Sequence, residues 1–311
     1  MPGPEEDALT IHFDPDARYA VEELDEPFAR VGELELLARV YRPLDAPDRP
    51  RVGLVDVHGG AWAHFDRTLG ATHGRALAAS GAVVVALDFR QAPAHRYPTP
   101  CLDVGAGLHW TRAHAARLGV DPACIGLIGS SSGGQIALEV ALRSQVSAPD
   151  GRWIRLPDGS WGAAPERPPE VAFVLALFPV SDPLARYRYV LGRRHEGAQV
   201  EVGFFPEPLV AAHLAYFEDE KAMESASIPR ILRAGEAKSL PPVWVAQPEL
   251  DQNVPMALTE DLVRAYREAG GRIECEVFAG QLHGFVHRAG TASDHCIERM
   301  RAFVAEQARR S

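Results

Sequence analysis

The 311-residue chain is 46% hydrophobic and 24% charged, with 42 acidic and 32 basic residues and a formal net charge of −10. Its apolar fraction is too high for a disordered chain, and its excess of acids argues against a nucleic-acid-binding protein, which needs a basic patch. Nine acids and two bases lie in residues 1–30, so the rest of the chain is close to balanced. We therefore expect the acidic start to be a solvated edge.

The start of the chain, its cysteines and its histidines exclude several further classes. Residues 1–7 are acidic, so we expect no secretory signal, and the longest apolar run, residues 171–180, has about half the length of a membrane span. No C-x-x-C pair or metal-ligand spacing of histidines occurs; the four cysteines are Cys101, Cys124, Cys275 and Cys296. These features predict a cytoplasmic protein with reduced core thiols, no membrane span and no metal.

Short β-rich runs alternate with longer helical patterns, which predicts a mostly parallel sheet covered by helices. An opening antiparallel pair is predicted at residues 21–29 and 33–41. Further strands are predicted at residues 52–57, 82–87, 124–128, 171–178, 243–247 and 272–278, and helices at residues 68–80, 101–118, 133–144, 254–269 and 293–309. In the last strand, Ile273, Cys275 and Val277 should share one face. If its edge is exposed, that strand could form a homodimer.

Two segments interrupt this alternation. Residues 145–170 contain the pattern Pro-Asp-Gly-x-Trp twice, which predicts a surface β-hairpin, with a functional flap as the alternative. Residues 181–240 mix aromatic and charged residues without β/α alternation, which indicates an inserted cap. We therefore interpret residues 1–311 as a single domain with a cap at 181–240, to which residues 1–20 could contribute.

The sharpest chemical motif is Gly-Ser-Ser-Ser-Gly-Gly at residues 129–134, between a predicted strand and a predicted helix. This context is typical of a nucleophile elbow, a tight turn that exposes a serine and requires glycines because backbone segments crowd there. The frame of the motif selects Ser131 as the nucleophile. A shifted frame would select Ser132, but it would place Ser130 where the first glycine belongs.

A second motif, His-Gly-Gly-Ala-Trp at residues 58–62, directly follows the predicted strand at 52–57. Residues with little side chain let the backbone bring several N–H groups to one point, which is what an oxyanion hole requires. One strand-helix-strand unit ahead of a serine elbow, this motif predicts such a site. His58 is interpreted as an organiser of the loop, hydrogen-bonded to nearby backbone, rather than as a catalytic base.

An activated serine needs a base, and the base needs a carboxylate that orients it. His283 follows the last predicted strand on a glycine-flanked loop, and Asp251 follows the strand before it. Because the carboxyl ends of parallel strands meet at one edge of a sheet, Ser131, Asp251 and His283 are expected to lie together. Glu249 and Asp261 are the alternative acids, but Glu249 comes too early in its loop and Asp261 lies within a predicted helix.

From about Glu33 to its end, the chain resembles the hormone-sensitive-lipase-like branch of the α/β-hydrolases, the bacterial family IV carboxylesterases. The blocks that carry the resemblance occur in order at residues 39–43, 58–62, 88–93, 97–98, 129–134, 178–182, 240–242 and 283–285. The resemblance implies an α/β-hydrolase fold, with an eight-stranded sheet, helices on both faces and a helical cap. It also implies hydrolysis of small carboxylic esters without a cofactor, with the N–H groups of Gly60, Ala61 and Ser132 as oxyanion donors.

The chain departs from the family pattern in ways that bear on the substrate. Ala61 stands where a third glycine is usual, and serines flank Ser131 where the family has an acidic residue and an alanine. The Gly-Gly-x-Trp variant is similar to that of arylformamidases, so an amidase or arylformamidase is the alternative. A non-catalytic ligand-binding receptor on the same scaffold is the remote alternative.

The ligand expected from the sequence is a small-molecule ester, and the nearly neutral body of the chain suits an uncharged one. Aromatic residues near the site indicate either an apolar pocket or core packing. These residues are Trp62, Phe65, Phe204, Phe205 and Tyr216.

Overall fold

A mostly parallel β-sheet organises the structure. The computed structural model describes residues 11–143, 152–155, 161–163, 170–194 and 204–310. Within these residues the sheet contains β1 (Val21–Val31), β2 (Leu34–Pro43), β3 (Arg51–Val57), β4 (Val83–Leu87), β5 (Val120–Ser130), β6 (Arg152–Arg155), β7 (Trp161–Ala163), β8 (Val174–Leu177), β9 (Val243–Pro248) and β10 (Ile273–Phe278). Their spatial order is β10-β9-β8-β5-β3-β4-β2-β1-β6-β7.

Eight of these strands form the mostly parallel sheet that the sequence predicted. The strands from β10 to β4 run parallel to their neighbours, and β2 and β1 add the antiparallel pair. Strands β4 and β8 are buried along their whole length, as expected for strands covered on both faces. The register places Val55 and Val85 in the core of one face and Leu54 and Val84 in the core of the other.

Strands β6 and β7 pair antiparallel with each other, and β6 bridges to β1. The hairpin predicted within residues 145–170 is therefore confirmed, and it lengthens the expected eight-stranded sheet by two short strands at the β1 edge. The rest of that segment, including both Pro-Asp-Gly sequences, lies outside the described residues.

Helices cover both faces of the sheet. Within the described residues they are α1 (Ala71–Ala78), α2 (Thr99–Ala113), α3 (Ala115–Leu118), α4 (Ser132–Arg143), α5 (Pro183–Gly192), α6 (Pro206–Phe217), α7 (Glu220–Ser225), α8 (Ile228–Arg233), α9 (Met256–Glu268) and α10 (Thr291–Ala308). The single helix predicted at 101–118 is wrong in one respect, because it divides at His114, whose ψ of 14° is not helical. Gly119 then ends α3 in the left-handed conformation that favours glycine.

Helices α5 to α8 all lie between β8 and β9, the segment interpreted as a cap. Three of them begin at a side-chain cap that accepts a backbone N–H; these caps are Asp182, Asp219 and Ser227. Their buried residues, such as Tyr187 and Met223, join the core on the face of α2, α4 and α9. Residues 195–203, within the same segment, lie outside the described part of the chain.

Strand β10 occupies one edge of the sheet, where the sequence placed the strand that could pair with a second copy. The homodimer itself stays a prediction. Ile273, Cys275 and Val277 alternate along β10 and share the face beside α9, as predicted, but Ile273 alone of the three is buried, whereas Cys275 and Val277 are exposed. Cys275 borders an open groove between β10 and α9 at the edge of the sheet, so the expectation of core thiols holds for Cys101, Cys124 and Cys296 but is wrong for Cys275.

The acidic residues of β1 keep contact with solvent, as expected of the acidic start of the chain, but they are also ion-paired. Every acid of this strand pairs with an arginine from a later part of the chain: Glu22 with Arg42, Glu23 with Arg75, Asp25 with Arg39 and Arg67, and Glu26 with Arg117. Ahead of β1, the N–H groups of Asp14 and Tyr19 donate to the carbonyls of Ser80 and Ala79, the two residues that follow α1. Residues 1–10 lie outside the described chain. No helix of the described residues is long and apolar enough to cross a membrane.

Candidate active site

Ser131 occupies the turn between β5 and α4. Its φ of 52° lies in the left-handed region, which is costly for a residue with a side chain. The turn is held by its own backbone, since the Ser131 N–H donates to the Leu177 carbonyl at 2.9 Å and the Val180 N–H donates to the Ser131 carbonyl at 3.0 Å. These contacts fix a strained serine at the carboxyl end of β5, as the predicted nucleophile elbow requires.

The glycines around this serine allow backbone segments to approach closely. A Cβ at Gly133 would lie 2.2 Å from the carbonyl oxygen of Val57 and 2.3 Å from that of His58. A Cβ at Gly129 would lie 2.5 Å from the carbonyl oxygen of Gly133. At Gly133 the elbow thus packs directly against the backbone of Val57 and His58, which no larger residue would permit.

The structure brings Ser131, His283 and Asp251 into one hydrogen-bonded chain. His283 Nε2 lies 2.9 Å from Ser131 Oγ, and His283 Nδ1 lies 2.8 Å from Asp251 Oδ2. Asp251 can only accept, so Nδ1 carries the proton and Nε2 is free to accept the serine proton. The other carboxylate oxygen of Asp251 accepts the N–H groups of Asn253 and Val254, each at 2.8 Å.

The two alternative acids point to other partners. Glu249 accepts the N–H of Gly280 at 2.7 Å and so links the loops that follow β9 and β10. Asp261, on α9, pairs with Arg233 and Arg264. Of the three carboxylates weighed in the sequence, Asp251 is therefore the one that reaches the His283 ring.

His58 is buried and serves the loop rather than the nucleophile. Its Nδ1 lies 2.7 Å from the Gly59 carbonyl, as predicted, and its ring stacks on Phe89 with centroids 4.1 Å apart. Burial lowers the pKa of His58, which keeps the ring neutral at neutral pH. The neutral Nδ1–H can then donate to the Gly59 carbonyl.

The loop after His58 turns through three consecutive positive φ angles, of 113° at Gly60, 51° at Ala61 and 61° at Trp62. The Trp62 N–H donates to Ser132 Oγ at 3.2 Å, which ties the loop to the start of α4. Within the described chain, the N–H groups of Gly60 and Ala61 find no protein acceptor. Ser132 begins α4, so its N–H has no acceptor within the helix.

A cavity of about 370 Å³ adjoins the serine. Its described lining comprises Gly59, Gly60, Ala61, His64, Phe65, Leu69, Ser130, Ser131, Phe178, Arg186, Leu209, Asn253, His283, Gly284, His287 and Arg288. Of the five aromatic residues singled out in the sequence, Phe65 alone belongs to this described lining. Trp62 and Tyr216 instead stack on each other in the core, with centroids 5.0 Å apart.

The sequence did not identify several polar groups at this site. Arg186, Asn253 and His287 line the cavity, and none belongs to a motif that would reveal it. Burial lowers the pKa of His287 to about 3, so this ring is neutral at neutral pH. Within the described residues, no cluster of three or more His, Cys, Asp or Glu side chains could hold a metal ion.

Known proteins resemble the chain both in sequence and in fold. The Mycobacterium tuberculosis esterase LipC is 37% identical over 121 residues, which cover 37% of this chain and 30% of LipC. The Arabidopsis thaliana gibberellin receptor GID1C is 35% identical over 136 residues, which cover 38% of this chain and 40% of the receptor. The chain thus matches about a third of the length of such curated relatives.

Solved esterase structures share the fold over nearly the whole chain. The carboxylesterase EstE1, from a metagenomic library, superposes with a TM-score of 0.72 at 24% identity, covering 94% of this chain and 91% of EstE1. Esterase 2 of Thermogutta terrifontis with bound propionate gives a TM-score of 0.68 at 23% identity, covering 93% and 94%. A family model described as the alpha/beta hydrolase fold matches residues 54–287. The chain therefore belongs to the α/β-hydrolase family, which confirms the predicted hormone-sensitive-lipase-like resemblance.

Proposed function

We propose that the protein is a serine carboxylesterase that hydrolyses small to medium carboxylic esters. The observation that carries the proposal is the chain of contacts from Ser131 Oγ through both ring nitrogens of His283 to Asp251, at 2.9 Å and 2.8 Å. A serine, a base and an orienting carboxylate in this arrangement suit acyl transfer. The esterases among the relatives support the same reaction class.

In the proposed mechanism, Ser131 Oγ attacks the ester carbonyl while His283 Nε2 accepts its proton. The negative oxygen of the tetrahedral intermediate is bound by the N–H groups of Gly60, Ala61 and Ser132, each of which contributes about 3 kcal/mol to the transition state. His283 then protonates the leaving alcohol, and an acyl-enzyme remains. Water attacks the acyl carbon with His283 again as base, releasing the acid and restoring Ser131.

Helices α5 to α8 are proposed to act as a cap over this site. Leu209 on α6 and Arg186 on α5 line the cavity together with Ser131. Their position lets the segment at residues 181–240 shape the acyl and alcohol subsites without contributing to the triad.

The first test replaces the nucleophile. Ser131→Ala should lower kcat for p-nitrophenyl butyrate by at least about 10⁴-fold, because no other group can form the acyl-enzyme. Ser132→Ala, which removes one hydrogen bond to Trp62, should retain activity within about tenfold. The reverse result would move the nucleophile to Ser132, and equal activity of Ser131→Ala and the wild type would overturn the proposed mechanism.

A substrate series separates the esterase from its alternative. Wild-type kcat/KM is measured for p-nitrophenyl esters of increasing acyl length and for one formanilide. The proposal expects ester turnover to dominate, and faster hydrolysis of the formanilide would favour an arylformamidase.

A further inference from the structure

Arg186 is a buried cation on the wall of the catalytic cavity. It lies on α5 and is 1% exposed, yet it lines the same cavity as Ser131 and His283. Its Nε donates to the Asn253 carbonyl at 3.0 Å, and its Nη2 donates to Asn253 Oδ1 at 2.6 Å. Both acceptors are neutral, so these bonds orient the guanidinium without balancing its charge.

The remaining neighbour of Arg186 is also neutral. His213 Nδ1–H donates to the Leu209 carbonyl at 2.7 Å, which leaves its Nε2 to accept from Arg186 Nη1 at 3.5 Å. Burial and the charge of Arg186 lower the pKa of His213 to about 3, so its ring is uncharged at neutral pH. Burial lowers the pKa of Arg186 only to about 10, so the guanidinium stays positive.

Asp251 is the carboxylate whose charge acts on Arg186, but both of its oxygens already have hydrogen-bond partners. Its charge favours the charged form of Arg186, but one oxygen is bound to His283 and the other to two backbone N–H groups. In the proposed mechanism Asp251 must also balance the positive charge that develops on His283. Arg186 would then be a second positive charge near Asp251, which is costly in a buried site unless another anion is present.

The described lining of the cavity offers Arg186 no acidic partner. None of its side chains is Asp or Glu, and it contains a second arginine, Arg288, which is exposed. Within the described chain, the guanidinium of Arg288 makes no ion pair. A buried guanidinium without an anionic partner is unfavourable, so an anionic group bound in the cavity would stabilise it.

We propose that the substrate carries a carboxylate and that Arg186 binds it, so that the enzyme acts on esters with one free acid group, such as monoesters of short dicarboxylic acids. Arginine presents donors in a planar fork that matches a carboxylate. This inference rests on the proposed esterase function and replaces the expectation of an uncharged substrate. The reaction is unchanged: water adds to the acyl carbon, the ester C–O bond breaks, and the alcohol leaves with a proton.

The experiment compares esters of matched size and shape that carry or lack a carboxylate. Mono-p-nitrophenyl adipate is paired with an ester of the same length in which an isopropyl group replaces the carboxylate. A second pair places the charge on the alcohol, as p-carboxyphenyl butyrate against p-isopropylphenyl butyrate. In at least one pair, wild-type kcat/KM should favour the anionic ester by about tenfold or more. No preference in either pair would overturn the inference while leaving the esterase function intact.

Substitutions on α5 test whether Arg186 causes the preference for the anionic ester. Arg186→Gln should lower the anionic-to-neutral ratio of kcat/KM by about tenfold or more, and Arg186→Lys should keep part of it. Arg188→Gln is the matched control, because Arg188 lies on the same helix, is exposed and pairs with Glu220 outside the cavity. If Arg186 only holds the loop of Asn253, Arg186→Gln will slow both esters equally and keep the ratio, which contradicts the inference.

A binding measurement keeps the two proposals separable. Calorimetric titration with adipate requires no turnover, and wild type should bind it at least about tenfold more tightly than Arg186→Lys or Arg186→Gln. If the wild type hydrolyses neither ester, that result contradicts the proposed esterase function but not the role of Arg186. Equal adipate affinity in wild type and both variants would contradict the role of Arg186 alone.

Discussion

Asp251 and Glu249 lie two residues apart in the loop after β9, but their carboxylates bind different partners. Asp251 is 5% exposed and holds the imidazole of His283, whereas Glu249 holds the backbone of Gly280. Asp251→Asn should lower kcat by about 10⁴-fold, because an amide at this position favours the wrong tautomer of His283. The measurement is kcat for p-nitrophenyl butyrate at neutral pH.

Glu249→Gln is the matched control for that prediction. It keeps an acceptor for the Gly280 N–H and touches neither His283 nor Ser131, so kcat should stay within about tenfold of wild type. A large loss in Glu249→Gln together with a small loss in Asp251→Asn would mean that the orienting acid has been assigned to the wrong residue.

At the scale of elements, the elbow depends on β3 and α4 touching through their backbones. Gly133→Ala should lower the free energy of unfolding by about 2 kcal/mol or more, because its Cβ would clash with the carbonyl oxygens of Val57 and His58. Gly192→Ala, at the end of α5, is the control, since open space surrounds that position. This control should be neutral or stabilising by up to about 1 kcal/mol. Thermal unfolding of both variants checks the contrast, and equal melting temperatures would contradict it.

At the scale of the whole molecule, Asp25 links the antiparallel pair to the loop that follows the oxyanion turn. It accepts from Arg39 on β2 and from Arg67, which also pairs with Asp88 after β4. The hydrogen bonds from Arg39 and Arg67 hold the pKa of Asp25 well below its ordinary value. The unfolded chain therefore binds a proton more readily at this residue, and the stability it contributes is lost as the pH falls below about 4.

Asp25→Asn should accordingly destabilise the protein by about 1–2 kcal/mol at neutral pH, where the ion pairs are complete. The difference from wild type should shrink as the pH falls below about 4, because the Asp25 carboxyl of the unfolded wild-type chain then takes up a proton, which favours unfolding. Denaturant unfolding at several pH values measures this. Glu35→Gln, which breaks an exposed pair with Arg30, should have little effect at any pH. A pH-independent difference for Asp25→Asn would contradict the role of its charge.

The sequence determined the order of the strands and helices along the chain and the chemistry at the ends of the strands. Ser131 was identifiable because glycines must surround a serine on so tight a turn, and His283 and Asp251 because loops after parallel strands meet at one edge. Buried strands such as β4 were identifiable because continuous apolar runs mark them. These signals are local, since each depends on residues a few positions apart.

Only the tertiary structure decided which side chains are buried and what they face. Folding buries Arg186 against Asn253, which is 67 residues away, and gives its guanidinium only neutral hydrogen-bond partners. The sequence predicted that the acids of β1 contact solvent, but not that they pair with arginines from distant parts of the chain. Cys275 was predicted to be buried, but it is exposed because β10 is an edge strand of the sheet. A charge or thiol takes its role from neighbours brought together by folding, and spacing along the chain does not specify those neighbours.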